Sequence, residues 1–312
     1  MTSGASTPPD LPGGAVSWRM LAAEAQRRLH DAGVGDEGSA GLDARRIVEE
    51  ASGLDGAEYV LGLDDAATER GVHAFDVMLE RRLAGEPLQY VVGRWGFRTL
   101  DLIVDRRVLI PRPETETVAE LALEELDRLR SGAVDESRPL LAVDLGTGSG
   151  AIGLSVAAER ERVDVWLTDR SEAALDVARA NLAGLGRSGT RVRLAAGDWF
   201  AALPDSLLGA VDVVVSNPPY VAADDELPAV VRDWEPSEAL LAGPRGLHDL
   251  EILVDQAPRW LRPGGALVVE LDPRQAEVVA GRARVAGFVE AEIRPDLAGR
   301  SRAVVARLAA AT

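Results

Sequence analysis

The sequence predicts an α/β protein in which a mostly parallel seven-stranded sheet, covered by helices on both faces, follows a small helical domain and a β-hairpin. Three observations predict it. From residue 140 onward, seven apolar strand-like runs alternate with helical patterns, the signature of parallel strands buried on both faces. Residues 15–88 carry apolar residues at three- and four-residue spacing, which marks helices. Between the two, residues 89–110 are rich in aromatic and β-branched residues punctuated by Gly93 and Gly96.

In chain order, Trp18, Leu21, Ala22, Ala25 and Leu29 form the apolar stripe of a first helix, with Ser17 as N-cap and Gly33 as stop. A second helix runs near Leu42 to Ala51, with Gly53 after it. A third spans about Thr68 to Leu83, with Phe75, Met78, Leu79 and Leu83 on one face, and Pro87 ends the pattern. Tyr90-Val91-Val92, Trp95 to Leu100 and Leu102 to Ile110 read as short strands or a hairpin. Pro111 and Pro113 fix an extended turn before a helix over Thr115 to Arg130. The sheet strands are Leu140–Leu145, Val163–Thr168, Val192–Ala195, Val211–Ser216, Ala266–Leu271, Val289–Ile293 and Ala303–Leu308. Helices fall near Ala151–Glu159, Glu172–Leu182, Leu247–Trp260 and Arg274–Val285. Ligands of such sheets bind at the carboxyl ends of the strands.

Composition narrows the chemistry. The 312 residues are 46% hydrophobic and 27% charged, in the range of globular domains. Without cysteine there is no disulfide framework, thiolate metal site or cysteine nucleophile, and His30, His73 and His248 are the only histidines. The net charge of −17 disfavours broad contact with phosphate backbones. No apolar stretch approaches the roughly 18–20 uncharged residues of a membrane span. Met1 to Gly14 lacks a basic residue and an apolar core; it reads as a disordered tail rather than a signal peptide, which points to the cytoplasm.

Val143-Asp144-Leu145-Gly146-Thr147-Gly148-Ser149-Gly150 follows an apolar strand and opens a helix. Its glycines allow a tight turn and close approach to a ligand. Asp169 ends the next strand, 19 residues beyond Gly150, where a carboxylate can bind ribose hydroxyls. By itself the loop is ambiguous: Gly148, Gly150 and Gly153 also fit the dinucleotide fingerprint of a nicotinamide or flavin enzyme, and a ligand-free turn is a third reading. Asp144, two residues before the first glycine, tips the choice toward an S-adenosyl-L-methionine loop, because that ligand carries a sulfonium cation and no pyrophosphate. Asp198, after the third strand, can accept from an adenine amino group, with Trp199 beside the ring or packed into the core.

Asn217-Pro218-Pro219-Tyr220 follows the strand Val211–Ser216. Two prolines force an extended turn there. The Asn217 side-chain oxygen and the Pro218 carbonyl form a pair of acceptors that matches an NH₂ group, and Tyr220 adds a flat face. Hydrogen bonds to both protons draw electron density onto a planar nitrogen and aim it for in-line displacement. Lying 67 residues after Gly150, at a strand end, the motif points to methylation of an amino group.

Gln89 to Gly93, Ile110-Pro111-Arg112-Pro113-Glu114-Thr115-Glu116, Asp144 to Gly150, Asp198-Trp199-Phe200 and Ser216-Asn217-Pro218-Pro219-Tyr220 together resemble the HemK/PrmC family of protein glutamine methyltransferases, over about residues 17–310. The resemblance implies a Rossmann-like methyltransferase sheet. It implies a division into a tail (1–14), a helical substrate-recognition domain (15–88), a β-hairpin linker (89–112) and a methyltransferase domain (113–312). The implied substrate is the glutamine of a Gly-Gly-Gln loop in a peptide chain release factor, met by a monomer that binds neither nucleic acid nor membrane. By motif position, Gly146, Thr147, Gly148, Ser149, Gly150, Asp169, Trp199 and Asn217 would contact S-adenosyl-L-methionine, and Asn217 to Tyr220 would hold the glutamine. Phe97 would flank the substrate pocket, and Arg112 and Glu114 would shape it or form an ion pair. Two departures stand out: Glu270-Leu271-Asp272-Pro273 has no glycine after the glutamate and one residue, and Gly246-Leu247-His248-Asp249 carries a histidine.

Competing functions are a ribosomal-protein glutamine methyltransferase, a DNA adenine methyltransferase, an inactive cofactor-binding module and a nicotinamide oxidoreductase. The DNA enzyme needs basic clusters and must extract a base from the duplex. The longest basic runs here are pairs such as Arg27-Arg28, Arg81-Arg82 and Arg106-Arg107.

Overall fold

The computed structural model describes residues 15–34, 38–132 and 138–311; the tail expected over residues 1–14 lies outside them. The chain forms two compact units that divide after Gly93.

The first unit is helical. Helix α1 (Trp18–Asp31) starts at Ser17, whose Oγ accepts from the Met20 N–H, and buries Trp18, Leu21, Ala25 and Leu29. Helix α2 (Ala40–Ser52) stops at Gly53 in the left-handed region. A short helix α3 (Gly56–Gly62), with Tyr59 buried, precedes α4 (Glu69–Leu83), which Thr68 caps. Between α4 and α2 the Arg82 guanidinium, largely buried, donates to Asp43 Oδ2 at 2.7 Å and to the Glu86 carbonyl at 3.0 Å. The strand expected at 90–92 is instead helix α5 (Leu88–Val92). Pro87 starts it and accepts from the Tyr90 and Val91 N–H groups. Arg81 satisfies the Tyr90 and Val91 carbonyls that a strand would offer to a neighbour.

The second unit opens with an antiparallel hairpin, β1 (Arg94–Phe97) and β2 (Leu100–Ile103), in register Arg94↔Ile103. Arg98 turns the hairpin at φ +52°, and its side chain pairs with Glu159 and Glu120 at 2.6 Å each. Helix α6 (Thr115–Ser131) leads to β3 (Leu140–Leu145), α7 (Ala151–Glu159), β4 (Val163–Asp169), α8 (Glu172–Ala183), β5 (Val192–Ala196) and β6 (Val211–Ser216). A short α9 (Ala229–Arg232) and α10 (His248–Trp260) follow, then β7 (Leu261–Glu270), α11 (Ala276–Val285), β8 (Glu290–Pro295) and β9 (Ser301–Arg307). The sheet order is β5-β4-β3-β6-β7-β9-β8. The first five strands are parallel, whereas β9 runs antiparallel to both β7 and β8. Strand β7 begins five residues earlier than its apolar run, at Leu261, with an irregular register around Gly264 and Gly265.

The chain leaves β3 toward β4 on one side and later adds β6 on the other. The crevice at the carboxyl ends of β3 and β6 is therefore the topological switch point where ligands of such sheets bind. Both motifs read from the sequence, the glycine turn after β3 and Asn-Pro-Pro-Tyr after β6, emerge there. Among the described residues no helix is long and apolar enough to cross a membrane.

Candidate active site

The turn after β3 is built around two carboxylates, one buried and one half-buried. Asp144, 1% exposed, accepts on Oδ2 from Thr147 Oγ1 at 2.6 Å and from the Gly153 N–H at 2.9 Å, while its Oδ1 has no partner. Burial pushes this carboxyl up to about 6, against those two donors, which favour its charged form; the nearby Asp169 raises it further. Asp169 accepts from the Gly148 and Ser171 N–H groups at 2.9 Å, and burial raises its carboxyl as well. Gly146 and Gly150 have φ of +69° and +88°, a region where side chains are strained. A Cβ on Gly153 would overlap Leu167, so α7 can pack onto the sheet at that position only with glycine.

This arrangement separates two ligand chemistries that the sequence left open. A pyrophosphate site needs free backbone N–H groups at the helix start. Here Gly148 N–H and Gly153 N–H are committed to carboxylates, and Asp144, Asp169, Asp198 and Glu238 all line the same cleft. The donor set suits a neutral ribose and a cationic head group. S-adenosyl-L-methionine fits it: Asp169 stands ready for hydroxyls, the unpartnered Asp144 oxygen lies at the cleft wall, and space is open above Gly148.

Trp199 adopts φ +46°, unusual for a bulky residue. Its ring rests on Gly146, where an added Cβ would come within 3.2 Å of it, and its side chain favours the charged form of Asp249 at the start of α10. The ring lines the cleft and also packs against the apolar core, so both readings of Trp199 from the sequence apply to it.

After β6, the Asn217 Nδ2 donates to Thr115 Oγ1 at 3.3 Å, which leaves Oδ1 as a free acceptor among the described residues. No hydrogen bond reaches the Pro218 carbonyl among them either. Tyr220 donates from its hydroxyl to Glu270 Oε1 at 3.3 Å, and its carbonyl accepts from Gln275 Nε2 at 2.9 Å. Burial, together with the adjacent Glu270, raises the Tyr220 hydroxyl well above the usual phenol range. Ser216 Oγ donates to the Leu145 carbonyl at 2.7 Å and so ties the two motif-bearing strand ends together.

Asp144, Gly146, Thr147, Gly148, Ser149, Asp169, Asp198, Trp199, Asn217 and Pro219 line one open cleft. Gly150, Pro218 and Tyr220 adjoin it without lining it. Three expected substrate residues sit elsewhere. Phe97 is 1% exposed and belongs to the apolar interior of the hairpin region, so it does not face the cleft. Arg112 forms an ion pair with the buried Glu235, which also accepts from the Ile110 N–H at 3.2 Å. Glu114 pairs with Arg300 at 3.1 Å. Both are thus ion-paired, though not with each other, and Pro111 and Thr115 of the same segment reach the cleft instead. Sequence reasoning also missed Arg170, which lines the cleft and donates to the Glu238 carbonyl at 3.1 Å.

Known proteins agree with this geometry. The family described as PrmC N-terminal domain matches residues 21–93, and the methyltransferase small domain matches residues 121–234. A release factor glutamine methyltransferase from Cereibacter sphaeroides is 41% identical over 302 residues, covering 94% of this chain and 100% of the relative. The chain belongs to the release factor glutamine methyltransferase family. Other members are similarly near: that of Deinococcus radiodurans is 40% identical over 93% of this chain and 98% of its own, and that of Xylella fastidiosa strain 9a5c is 39% identical over 85% and 92%. Among solved structures, the hMettl16 catalytic domain in complex with MAT2A 3'UTR hairpin 1 superposes with a TM-score of 0.52 at 14% identity, over 76% of this chain and 80% of that one. At that identity the likeness is one of fold. In this release factor glutamine methyltransferase family member, the two motifs meet at the switch point: a carboxylate-lined cleft on one side and a pair of oxygen acceptors on the other.

Proposed function

We propose that this protein transfers the methyl group of S-adenosyl-L-methionine to the side-chain amide nitrogen of the glutamine in the Gly-Gly-Gln loop of a translation release factor. The observation that carries this reading is the Asn217 carboxamide, held through its Nδ2 by Thr115 so that its oxygen stays free beside the unpaired Pro218 carbonyl, at the rim of the nucleoside cleft.

When bound, the cofactor supplies an electrophilic methyl carbon on a positively charged sulfur. The chain's own residues do the rest by placement. Asp169 is suited to the ribose hydroxyls and Asp198 to the adenine amino group. The Asp144 and Asp169 carboxylates give the cleft the negative potential that favours a cation. Asn217 Oδ1 and the Pro218 carbonyl accept the two hydrogens of the glutamine NH₂ group. That loosens the delocalisation of its lone pair into the amide and turns the nitrogen toward the methyl-bearing side of the cleft. Orientation of this kind can supply about 7–11 kcal/mol at best. The nitrogen becomes strongly acidic once methylated, so its proton passes to water and no histidine or cysteine base is needed. Ile152, Pro111 and Pro219 give the cleft apolar walls that limit competing water.

In the same reading the helical unit contributes to recognition of the factor. The enzyme acts as a cytoplasmic monomer on the free factor rather than on the assembled ribosome, in keeping with its charge of −17. The test is incubation with methyl-labelled S-adenosyl-L-methionine and purified release factor, followed by mass mapping of the modified residue. We expect label on the Gly-Gly-Gln glutamine, and at least a 100-fold lower kcat for Asn217→Ala with little loss of cofactor binding. Label on another residue, or wild-type rates in the variant, would overturn the assignment.

A further inference from the structure

Glu270 is the terminal residue of β7, and the register Ser216↔Val269 places it beside Asn217 on the neighbouring strand. It is 1% exposed, yet it follows the buried apolar run Ala266 to Val269 and takes no part in the cofactor loop. Four groups face it. The Tyr220 hydroxyl donates to Oε1, the Thr115 hydroxyl at the start of α6 favours its charged form, Arg302 of β9 does the same, and Glu114 opposes. Its second oxygen, Oε2, is buried without a hydrogen-bond partner.

The polarity of this cluster follows from counting donors. An ionised carboxylate only accepts. The Thr115 hydroxyl, near enough to Glu270 to favour its charged form, then directs its one hydrogen toward that carboxylate and accepts from Asn217. Asn217 must therefore turn its NH₂ toward Thr115, as found at 3.3 Å, and present its oxygen outward. Oxygen and nitrogen of an amide are told apart by such networks alone. If Glu270 were a donor instead, Thr115 could direct its hydrogen to Asn217. The carboxamide could then rotate and offer an NH₂ to the cleft, which repels the NH₂ of a substrate.

We propose that Glu270 is a positioning residue that acts through the Thr115 hydroxyl to fix the outward orientation of the Asn217 oxygen, and so makes the site select a substrate nitrogen bearing two hydrogens. The inference rests on the function proposed above and names the device that sets its specificity. It carries a pH signature. Burial pushes the Glu270 carboxyl up to about 7, partly countered by Thr115, Arg302 and Tyr220. Protonation below that point gives the cluster a second donor, so the oxygen-out orientation belongs to the alkaline side.

Wild type, Thr115→Val, Thr115→Ser and Glu270→Gln are compared for kcat and KM with S-adenosyl-L-methionine and release factor between pH 6 and 8.5. Thermal midpoints and cofactor affinity serve as folding controls. The expected result is a kcat at least 10-fold lower for Thr115→Val and Glu270→Gln, with cofactor affinity within about twofold, and recovery to within about threefold in Thr115→Ser. Wild-type kcat should rise through pH 7, and Glu270→Gln should lose that rise. The side-chain amide resonance of Asn217 in ¹⁵N-labelled protein should titrate near pH 7 in wild type and be flat in Glu270→Gln. This readout needs no substrate, so a wild type that methylates no release factor sinks the proposed function and leaves the positioning role testable. Folded Thr115→Val and Glu270→Gln variants with wild-type kcat, or a wild-type Asn217 resonance that does not move with pH, would overturn it.

Discussion

Replacing Asp144 with asparagine should make the ligand-free protein less sensitive to pH, and the size of the effect can be worked out. The carboxyl titrates at about 6 in the folded protein, against a reference of 3.8. The charged form is therefore disfavoured in the fold by about 2 pK units, or about 3 kcal/mol. Because the folded value is the higher one, the penalty is absent below pH ~3.8, grows as pH rises to ~6, and is constant above that. Between pH 5 and 7.5 the increment comes to about 1.4 kcal/mol. For a unit of this size that is about 3–5 °C in Tm. In Asp144→Asn the amide oxygen can replace Oδ2 and keep the bonds from Thr147 and Gly153, while its NH₂ takes the place of the unpartnered Oδ1. Leaving that NH₂ without a partner costs about 1–3 kcal/mol, so the variant should match wild type near pH 7.5 and lose relative stability toward pH 5. A cationic ligand should favour the ionised Asp144, so binding of S-adenosyl-L-methionine below pH 6 should release a proton in wild type and not in the variant. Differential scanning calorimetry at the two pH values, with calorimetric binding in buffers of different ionisation enthalpy, reads both effects. Parallel Tm-versus-pH curves for the two proteins would refute the reasoning.

Two further substitutions probe the scaffold. Gly246→Ala forces a side chain at φ +64° into the Tyr220 carbonyl, which Gln275 also holds; methylation should collapse and stability should fall by about 2 kcal/mol or more, as activity assays and melts would show. Arg82→Ala leaves Asp43 buried without its guanidinium, and should destabilise the helical unit by about 3–5 kcal/mol, visible as an earlier thermal transition.

The central parallel strands were legible because they are buried on both faces and carry apolar runs, Val213 to Val215 being the clearest, whereas β5 buries only Val192 and was read from its place in the alternation. Pattern reading failed where the element was too short to show a period. Helix α3 has seven residues with glycine at both ends, and α5 has five β-branched or long residues that Arg81 and Pro87, outside the window, turn into a helix. The antiparallel placement of β9 between β7 and β8 could not be read, because strand order is a property of neighbours rather than of runs. The same distinction divides the site. Asp144, the glycines, Asp169 and Asn217 lie in short motifs whose spacing is itself the signal. Thr115 was quoted within such a motif and Glu270 as a departure, but neither carried a role. Their connection spans 102 residues between Thr115 and Asn217 and exists only because α6 starts above β6 and β7. Phe97, a flank of the substrate pocket only by the family resemblance, is buried in the hairpin and does not line the cleft.

The three central strands of the sheet each carry a polar group at or beside the carboxyl end: the buried Asp144 one residue before the end of β3, the half-buried Asn217 just past β6 and the buried Glu270 at the end of β7. Adjacent apolar strands would be more stable with apolar ends, and two of these carboxyls are held away from their preferred charge by burial. The surrounding packing, with Val143, Val214 and Leu267 fully buried along the same strands, supplies the stability that lets the carboxyl edge carry them. What that edge gains is fixed direction. Each is held by fixed neighbours, Asp144 by Thr147 and Gly153 and Glu270 by Tyr220, so Asp144 shapes the turn after β3 and, in the proposed arrangement, Glu270 sets the direction of the Asn217 oxygen. A site made of exposed loops could hold the same residues, but water would compete for every bond and no orientation would be preferred. Catalysis without a general base is feasible in this fold because the burden falls on orientation, and orientation is what a row of hydrogen-bonded polar groups at the edge of a rigid sheet provides.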